Sequence, residues 1–549
     1  MKEKKKGLAI GTSDFKSLIT GNGFYIDKTK FIEEILEDLS EVKLFTRPRR
    51  FGKTLNLSML KYFFDIENSE ENRKLFDNLY ISQSEYMKYQ GQYPVIFISM
   101  RNVEAENWEK SYFNTRNLVS SLYRSFKHIR EKIDEFDIED FMNIAMNKDH
   151  ADWEGSLKKL SKYLYDYYGK KAIILIDEYD RPMTNAWSEG YYEKSRSFFK
   201  NFYANALKDN EYLKFAILMG IIKVPTSGIL TGLNNIVDYN VLSNSYSNIF
   251  GFTESEVKQA IQYYEIESNI EEIKKWYNGY KFGDILIYNP WSILNYLEKE
   301  NFSVYSISTF YSNLIYIAIK NSYNLLFGEL KKIFSDSTTE QQINNLTYID
   351  NLKNPQEVWQ LMLFGGYLTV EREVEMNVYD LRLPNYEVRT FFKDMFIEKL
   401  GGLSCFKELM KAFRNLEMES FEELLNETFM VSMSYHDISK TEKPYHTLIL
   451  GMMLYLDNEY TVLSNDEAGY GRSDLALEPL DKRNRGYIFE FKIAKDEEEM
   501  KEMAEQALAQ IEEKKYPVML KGRGVTEIVY IGMAFCGKNV KVKHKVIKK

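Results

Sequence analysis

A short apolar run, Val42-Lys-Leu-Phe45, leads through Thr46 into Arg47-Pro-Arg-Arg-Phe-Gly-Lys-Thr54, and a helical pattern from Leu55 to Phe64 follows at once. A strand that turns into a helix through Gly52-Lys53-Thr54 constrains the local fold strongly. The backbone N–H groups at the helix start face the space beyond the strand, and negative charge is favoured there. In this arrangement Lys53 reaches the β- and γ-phosphates of a nucleotide, and the Thr54 hydroxyl ligates Mg²⁺. The usual phosphate loop has a Gly where this chain has Arg47, so the first turn must be built differently. Arg47, Arg49 and Arg50 then have two readings: contacts to phosphate, or salt bridges that replace the missing Gly turn. The plain alternative for the whole octet is a basic, solvent-exposed helix start.

A second segment weighs against the plain alternative. Ala172-Ile-Ile-Leu-Ile-Asp-Glu-Tyr-Asp180 is an apolar strand that ends in Asp177-Glu178. In phosphate-loop ATPases the acid at such a strand end helps to hold Mg²⁺, and the next acid polarises the attacking water. An acidic turn after a buried strand is common by itself. Together with Gly52-Lys53-Thr54 upstream it points to ATP and Mg²⁺ as cofactors, with Asp177 on the metal and Glu178 as the catalytic acid. A kinase-like transferase fits this strand pattern poorly.

Composition sets the outer limits. The chain has 549 residues and a formal net charge of −9, which excludes a globally basic nucleic-acid coat protein. Two cysteines, Cys405 and Cys536, supply neither a disulfide framework nor a zinc ribbon, and a reducing cytoplasm is the expected compartment. No apolar signal core follows the charged first residues, and no apolar run is long enough to span a bilayer, so a membrane is not an expected partner. With 10 Pro and 28 Gly, the sequence has no long disordered stretch. In the first half, Pro94–Ser99, Lys171–Ile176 and Lys214–Met219 are further strand-like runs separated by helical patterns such as Ser156–Tyr168. That alternation predicts an α/β fold, a parallel sheet with helices on both faces. From Pro290 to Met430 the pattern is mostly helical, as in Ser322–Phe334 and Phe406–Asn426. A further α/β unit begins near Thr441, with strands around 460–463, 473–477, 487–491 and 527–532 and a charged helix from Lys495 to Lys515.

Several of these segments resemble the bacterial AAA-ATPase-like proteins: Phe24-Tyr-Ile-Asp-Lys-Thr29, the Arg47–Thr54 octet, Ile176-Asp-Glu-Tyr-Asp180 and Gly232-Leu-Asn-Asn235. So do Phe250-Gly-Phe-Thr253, Trp276-Tyr-Asn-Gly-Tyr280, Tyr288-Asn-Pro-Trp-Ser292, Phe364-Gly-Gly-Tyr-Leu368 and Leu383-Pro-Asn-Tyr-Glu-Val388. Gly469-Tyr-Gly-Arg-Ser-Asp474 with Phe489-Glu-Phe-Lys492 resembles that family's C-terminal PD-(D/E)XK nuclease-superfamily domain. The resemblance runs over nearly the whole chain, and an Arg at the first Gly position is usual in this family. It implies an AAA-ATPase-like phosphate-loop domain at 1–289, a mostly helical middle region at 290–435 and a nuclease-like domain at 436–549. It implies no particular biological role.

The C-terminal residues also carry chemistry of their own. Glu490 and Lys492 lie two apart in an apolar strand, and therefore on one face. Asp474 starts the preceding strand, and a hairpin-like pairing brings it beside Glu490. Two adjacent carboxylates favour Mg²⁺, while Lys492 orients or helps to deprotonate an attacking water, which is the equipment for phosphodiester hydrolysis. Arg472, Glu467 and Glu442 are outer-shell candidates, and His446 reads as a plain helix residue. In the helix that follows, Ala504, Ala507, Leu508 and Ile511 form a stripe for packing on the sheet, and Gln506 or Gln510 either faces the site or supports the core. The basic tail from Lys538 to Lys549 reads as a phosphate-tracking run or, more plainly, a solvated frayed end. The function expected from all this is an ATP-binding ATPase that controls a Mg²⁺-dependent nuclease acting on DNA or RNA, in defence or mobile-element biology. The rival is a nucleotide-dependent switch or scaffold whose nuclease fold binds without cutting. Homo-oligomerisation is left open.

Overall fold

The computed structural model describes residues 5–224, 229–230, 233–306, 333, 338–344, 351, 354–399, 403–432, 442–456, 459–464, 467–468 and 471–548. The chain divides into two compact units, Met1–Glu329 with Thr338–Val388, and Leu330–Ser337 with Arg389–Lys549. No helix among the described residues is long and apolar enough to cross a membrane.

The first unit is built on a five-stranded sheet of β1 (Val42–Thr46), β2 (Val95–Ser99), β3 (Ala172–Asp177), β4 (Leu213–Gly220) and β5 (Ile236–Tyr239). Its order is β2-β3-β4-β1-β5, and every neighbouring pair is parallel. All six residues of β3 are buried. A strand covered on both faces reads as a continuous apolar run rather than an alternating one, as this one does. Helices Lys53–Phe64, Trp108–Ser125, Ser156–Tyr168 and Tyr192–Leu207 accompany the sheet. The helix Ser156–Tyr168 stops at Gly169, which takes the left-handed conformation at φ 65° that favours glycine. Phe45 and Asp177 are both level with Met219 on the strand between them, so β1 and β3 end at the same height on either side of β4, at the carboxyl edge of the sheet. This edge is where a parallel α/β sheet offers a crevice for ligands.

The rest of this unit adds a two-stranded hairpin, β6 (Tyr280–Phe282) with β7 (Ile285–Ile287), and helices Pro290–Lys299 and Pro355–Phe364. Among the described residues the middle of the chain is mostly helix, but it also holds a three-stranded antiparallel sheet of β8 (Thr339–Gln342), β10 (Val378–Arg382) and β9 (Thr369–Glu375). Helices Tyr386–Lys399, Leu403–Asn415 and Met418–Ser432 follow. Apart from Ile333, the Ser322–Phe334 pattern lies outside the described residues.

The second unit carries a five-stranded mixed sheet in the order β11-β14-β15-β16-β17. These strands are Tyr460–Ser464, Leu475–Pro479, Gly486–Ile493, Glu527–Cys536 and Asn539–Lys548, while β12 (Glu467–Ala468) and β13 (Gly471–Arg472) form a separate short pair. The crossover between the parallel strands β15 and β16 is the helix Met500–Glu513, with Ala504, Ala507 and Ile511 buried beneath it. Gly532 allows this close approach, because a Cβ there would lie 2.3 Å from the Ala504 carbonyl oxygen. The basic tail is not a frayed end. Asn539–Lys548 is a ten-residue strand paired antiparallel to β16 from end to end, with Val540 and Val542 buried. Lys541 and Lys545 form ion pairs with Glu422 and Glu512, and the helix Met418–Ser432 covers the outer edge of the strand, its Asn426 and Glu422 side chains accepting the N–H groups of Val540 and Val542.

Candidate active sites at two sheet edges

The phosphate loop lies between β1 and the helix Lys53–Phe64. Gly52 stands at the helix N-cap with φ 80°, and Arg50 also takes a left-handed backbone at φ 65°. These two turns wrap the loop round the Lys53 side chain, whose Nζ donates to the carbonyls of Arg47 at 2.8 Å and Pro48 at 2.7 Å. Burial pushes the Lys53 ammonium down to about 8, against the opposing pull of Asp177, Asp180 and Glu178. The Thr54 hydroxyl donates to Asp177 Oδ2 at 2.8 Å. Asp177 is fully buried and its carboxyl is pushed up to about 6, first by burial and then by the charge of Glu178, with the Thr54 hydrogen bond opposing. Among the described residues its Oδ1 has no hydrogen-bond partner. A buried carboxylate oxygen left over beside a threonine hydroxyl suits a Mg²⁺ ion, which takes few protein ligands and retains its waters.

Glu178 follows with φ 53°. One of its oxygens accepts from Arg101 Nη2 at 3.2 Å, and the other lies 3.1 Å from Arg181 Nη1. Arg181 is itself held by Glu104. Asp180, for which the sequence suggested no separate role, is buried and accepts the backbone N–H groups of Ile221 at 2.9 Å and Ile222 at 3.1 Å, fastening the end of β4 beside the loop.

Two expected phosphate contacts are placed elsewhere. Arg47 is completely buried, and its Nη1 donates to the carbonyls of Tyr239 at 2.7 Å and Thr46 at 2.9 Å. The guanidinium lies 5.2 Å from the ring centres of both Phe250 and Phe282. Burial pushes it down to about 9, with Asp238 opposing. Arg47 is therefore a core residue that ties the loop to the segments around 239 and 250, and it does not face the phosphate space. Carbonyl contacts and aromatic faces take the place of the salt bridges that the alternative reading required. Arg50 turns outward from the loop, stacking 4.3 Å over the Trp291 ring and donating to the Tyr305 carbonyl.

In the second unit, Leu475 pairs with Phe489 across the antiparallel β14 and β15, so Asp474 arrives beside Glu490. Asp474 Oδ2 accepts the backbone N–H of Phe491 at 2.7 Å, which pins the carboxylate to the strand carrying Glu490. Lys492 Nζ lies 3.8 Å from Glu490 Oε1. Glu490 is only 4% exposed, and its carboxyl is pushed up to about 8, first by burial and then by Asp474, with Lys492 opposing and Glu442 adding to the rise. Glu442 in turn is raised by its own burial and by Asp474. His446 is more than a plain helix residue, because its Nε2 lies 2.8 Å from the Asp474 carbonyl oxygen. Of the two glutamines weighed, Gln510 reaches the site and donates to Glu490 Oε1, while Gln506 pairs with Glu502. The side chains of Glu467 and Arg472 lie outside the described residues. Among the described residues no group of three or more His, Cys, Asp or Glu is arranged to hold a metal. Yet Glu490 Oε2 is buried with no hydrogen-bond partner among them, and Asp474 stands alongside. Two carboxylates with one such oxygen suit a partly hydrated Mg²⁺.

The family comparisons agree with both sheets. Residues 9–230 match the family described as "Predicted AAA-ATPase", and residues 440–545 match the "PD-(D/E)XK nuclease superfamily". The chain thus carries an AAA-ATPase-like domain and a C-terminal PD-(D/E)XK nuclease-superfamily domain. It is also 24% identical over 539 residues, 95% of each chain, to an Azotobacter chroococcum mcd 1 protein described as "Uncharacterized protein in vnfD 5'region".

Proposed function

We propose that this protein is an ATPase whose nucleotide state controls a Mg²⁺-dependent nuclease in the same chain, acting on DNA or RNA in the cytoplasm. The observation that carries the reading is the placement of Thr54 against Asp177 in one unit and of Asp474 beside Glu490 and Lys492 in the other. In the first unit, Gly52 and the helix start offer N–H groups to the phosphates, and Lys53 supplies positive charge. Thr54 and Asp177 would hold Mg²⁺, which neutralises charge on the phosphates when bound. Glu178 takes a proton from the attacking water once it is released from Arg101. In the second unit Asp474 and Glu490 would hold the divalent ion, and Lys492 orients the water and stabilises charge on the phosphorus centre. ATP control of cutting is the simplest reason for one chain to carry both sites, and defence or mobile-element biology is a setting in which such control is useful. The test is direct: incubate the purified full chain with single- and double-stranded DNA and RNA, with Mg²⁺ or Mn²⁺, with and without ATP, and measure strand breaks and phosphate release. Metal-dependent breaks that change with ATP support the reading. Binding without breaks under any metal favours the scaffold reading instead.

A further inference from the structure

The outward side of the phosphate loop is enclosed by residues that come much later in the chain. Pro48 lies against Gly366, where a Cβ would come within 2.7 Å of the proline ring, and Phe51 packs edge-on against Tyr280. Arg50 makes the most directional of these contacts. It stacks over Trp291, in the first turn of the helix Pro290–Lys299, and donates to the Tyr305 carbonyl. Next to both of these partners lies a carboxylate with no solvent exposure, that of Glu387. Its Oε1 accepts the backbone N–H of Tyr305 at 2.6 Å and of Ser306 at 2.7 Å, and its Oε2 accepts the Ser292 hydroxyl at 2.8 Å. Arg50 and Glu387 therefore hold the same two segments: residue 305 through its backbone carbonyl and amide, and the helix start through the Trp291 ring and the Ser292 hydroxyl. Glu387 is in the first turn of the helix Tyr386–Lys399. The first compact unit ends at Val388 and the second resumes at Arg389, so this helix begins in one and continues in the other.

A buried carboxylate with several good donors holds a fixed geometry, and removing it leaves those donors unpaired. Such a cluster transmits a shift as a unit. Lys53 is held by the carbonyls of Arg47 and Pro48, only two or three residues before Arg50. A triphosphate in the loop draws on that same ammonium, so its arrival bears on the backbone that carries Arg50. Resting on the nucleotide-binding reading above, we propose that Glu387 is a positioning residue that couples the phosphate loop, through Arg50 and Tyr305, to the helix Tyr386–Lys399.

The experiment is hydrogen–deuterium exchange on the full chain, with and without Mg²⁺ and an ATP analogue that resists hydrolysis, with calorimetry of analogue binding alongside. In the parental protein the analogue should slow exchange in Lys53–Phe64 and shift it by about threefold or more in Tyr386–Lys399. Glu387→Gln keeps the size of the side chain and lies outside the nucleotide site, so its affinity should stay within about twofold of parental. The Gln carbonyl can still accept the Tyr305 and Ser306 N–H groups but the charge and the second acceptor oxygen are lost, so the analogue-dependent change in Tyr386–Lys399 should at least halve while that in Lys53–Phe64 remains. If Glu387→Gln does not fold, Ser292→Ala, which removes only the hydroxyl contact, should at least halve the change in Tyr386–Lys399. A parental response confined to Lys53–Phe64 overturns the coupling and leaves nucleotide binding intact. A full response in the folded variant also overturns it. Absence of any calorimetric binding overturns the nucleotide reading itself, and the coupling with it.

Discussion

The Thr54 hydroxyl lies 2.8 Å from Asp177 Oδ2, although Thr54 opens the helix that follows β1 and Asp177 ends β3, and β4 separates those two strands. In the function proposed above, that contact closes the nucleotide site across three strands, and the buried Lys53 completes it from the loop side. Lys53→Ala removes the positive charge that the proposed function assigns to the phosphates. ATP affinity should then fall at least about tenfold, since charge-assisted contacts to phosphate are among the stronger ones. Calorimetry checks this, with circular dichroism to show that the fold survives. Unchanged affinity would remove Lys53 from the site.

Glu178 should separate binding from turnover. In Glu178→Gln the shape is kept, but the group can no longer accept a proton. ATP affinity should stay near parental while phosphate release slows by about a hundredfold, the usual scale for losing a general base. Phosphate release at the parental rate would make Glu178 a structural partner of Arg101 and Arg181 only.

Arg47 distinguishes a core residue from a ligand contact. Arg47→Gly restores the usual phosphate-loop residue, yet it deletes a completely buried side chain and leaves the Tyr239 carbonyl without its donor. The expected cost is about 3–5 kcal/mol in the first unit, from the cavity and the lost charged hydrogen bonds. Denaturant unfolding reads it as a lowered midpoint. A phosphate-contact role predicts the reverse pattern, weaker ATP binding at unchanged stability.

These residues also mark what the sequence alone can convey. Gly52-Lys53-Thr54 and Asp177-Glu178 are legible because each signal is local, a strand end and the residues straight after it. Asp474 and Glu490 are legible because they flank one short connection, and the period of two in β15 puts Lys492 beside Glu490. The destination of Arg47 is not legible, because its partner Tyr239 is 192 residues away and only the folded sheet brings β5 alongside β1. Arg101 on Glu178 is hidden in the same way, at a separation of 77 residues. Gln506 and Gln510 lie one helical turn apart, so spacing alone leaves both open. In the tail the run of lysines masks the alternation of Val540 and Val542 that marks the final strand.

The buried Glu490 predicts a pH dependence of stability with a definite sign. Its carboxyl is pushed up to about 8 in the folded protein, by burial and then by Asp474, from an ordinary value of 4.5. The folded state therefore holds this proton more tightly than the unfolded state, and stability falls as pH rises between those two values. The contribution is fully present below about 4.5 and lost above about 8. Glu490→Gln stays neutral throughout, so with EDTA present its melting temperature should match parental near pH 5 and exceed it at pH 8.5. A constant difference across that range would show that Glu490 is not held protonated.

The last prediction concerns the independence and coupling of the two sites. Asp474 and Lys492 stand on a sheet of their own, with no residue shared with the phosphate loop. Asp474→Ala or Lys492→Ala should therefore abolish metal-dependent cleavage and leave ATP hydrolysis close to parental. Lys53→Ala should alter cleavage without touching the residues that perform it. Linkage adds a stricter requirement. If ATP changes the affinity for nucleic acid by some factor, nucleic acid changes the affinity for ATP by the same factor. Titrating ATP into the Asp474→Ala protein, free and saturated with DNA or RNA, measures this without interference from cutting. Two matching factors different from one establish the switch. Nucleic-acid binding with an unmoved ATP affinity leaves two enzymes on one chain, and a protein that binds no nucleic acid at all retains a nuclease fold without its chemistry.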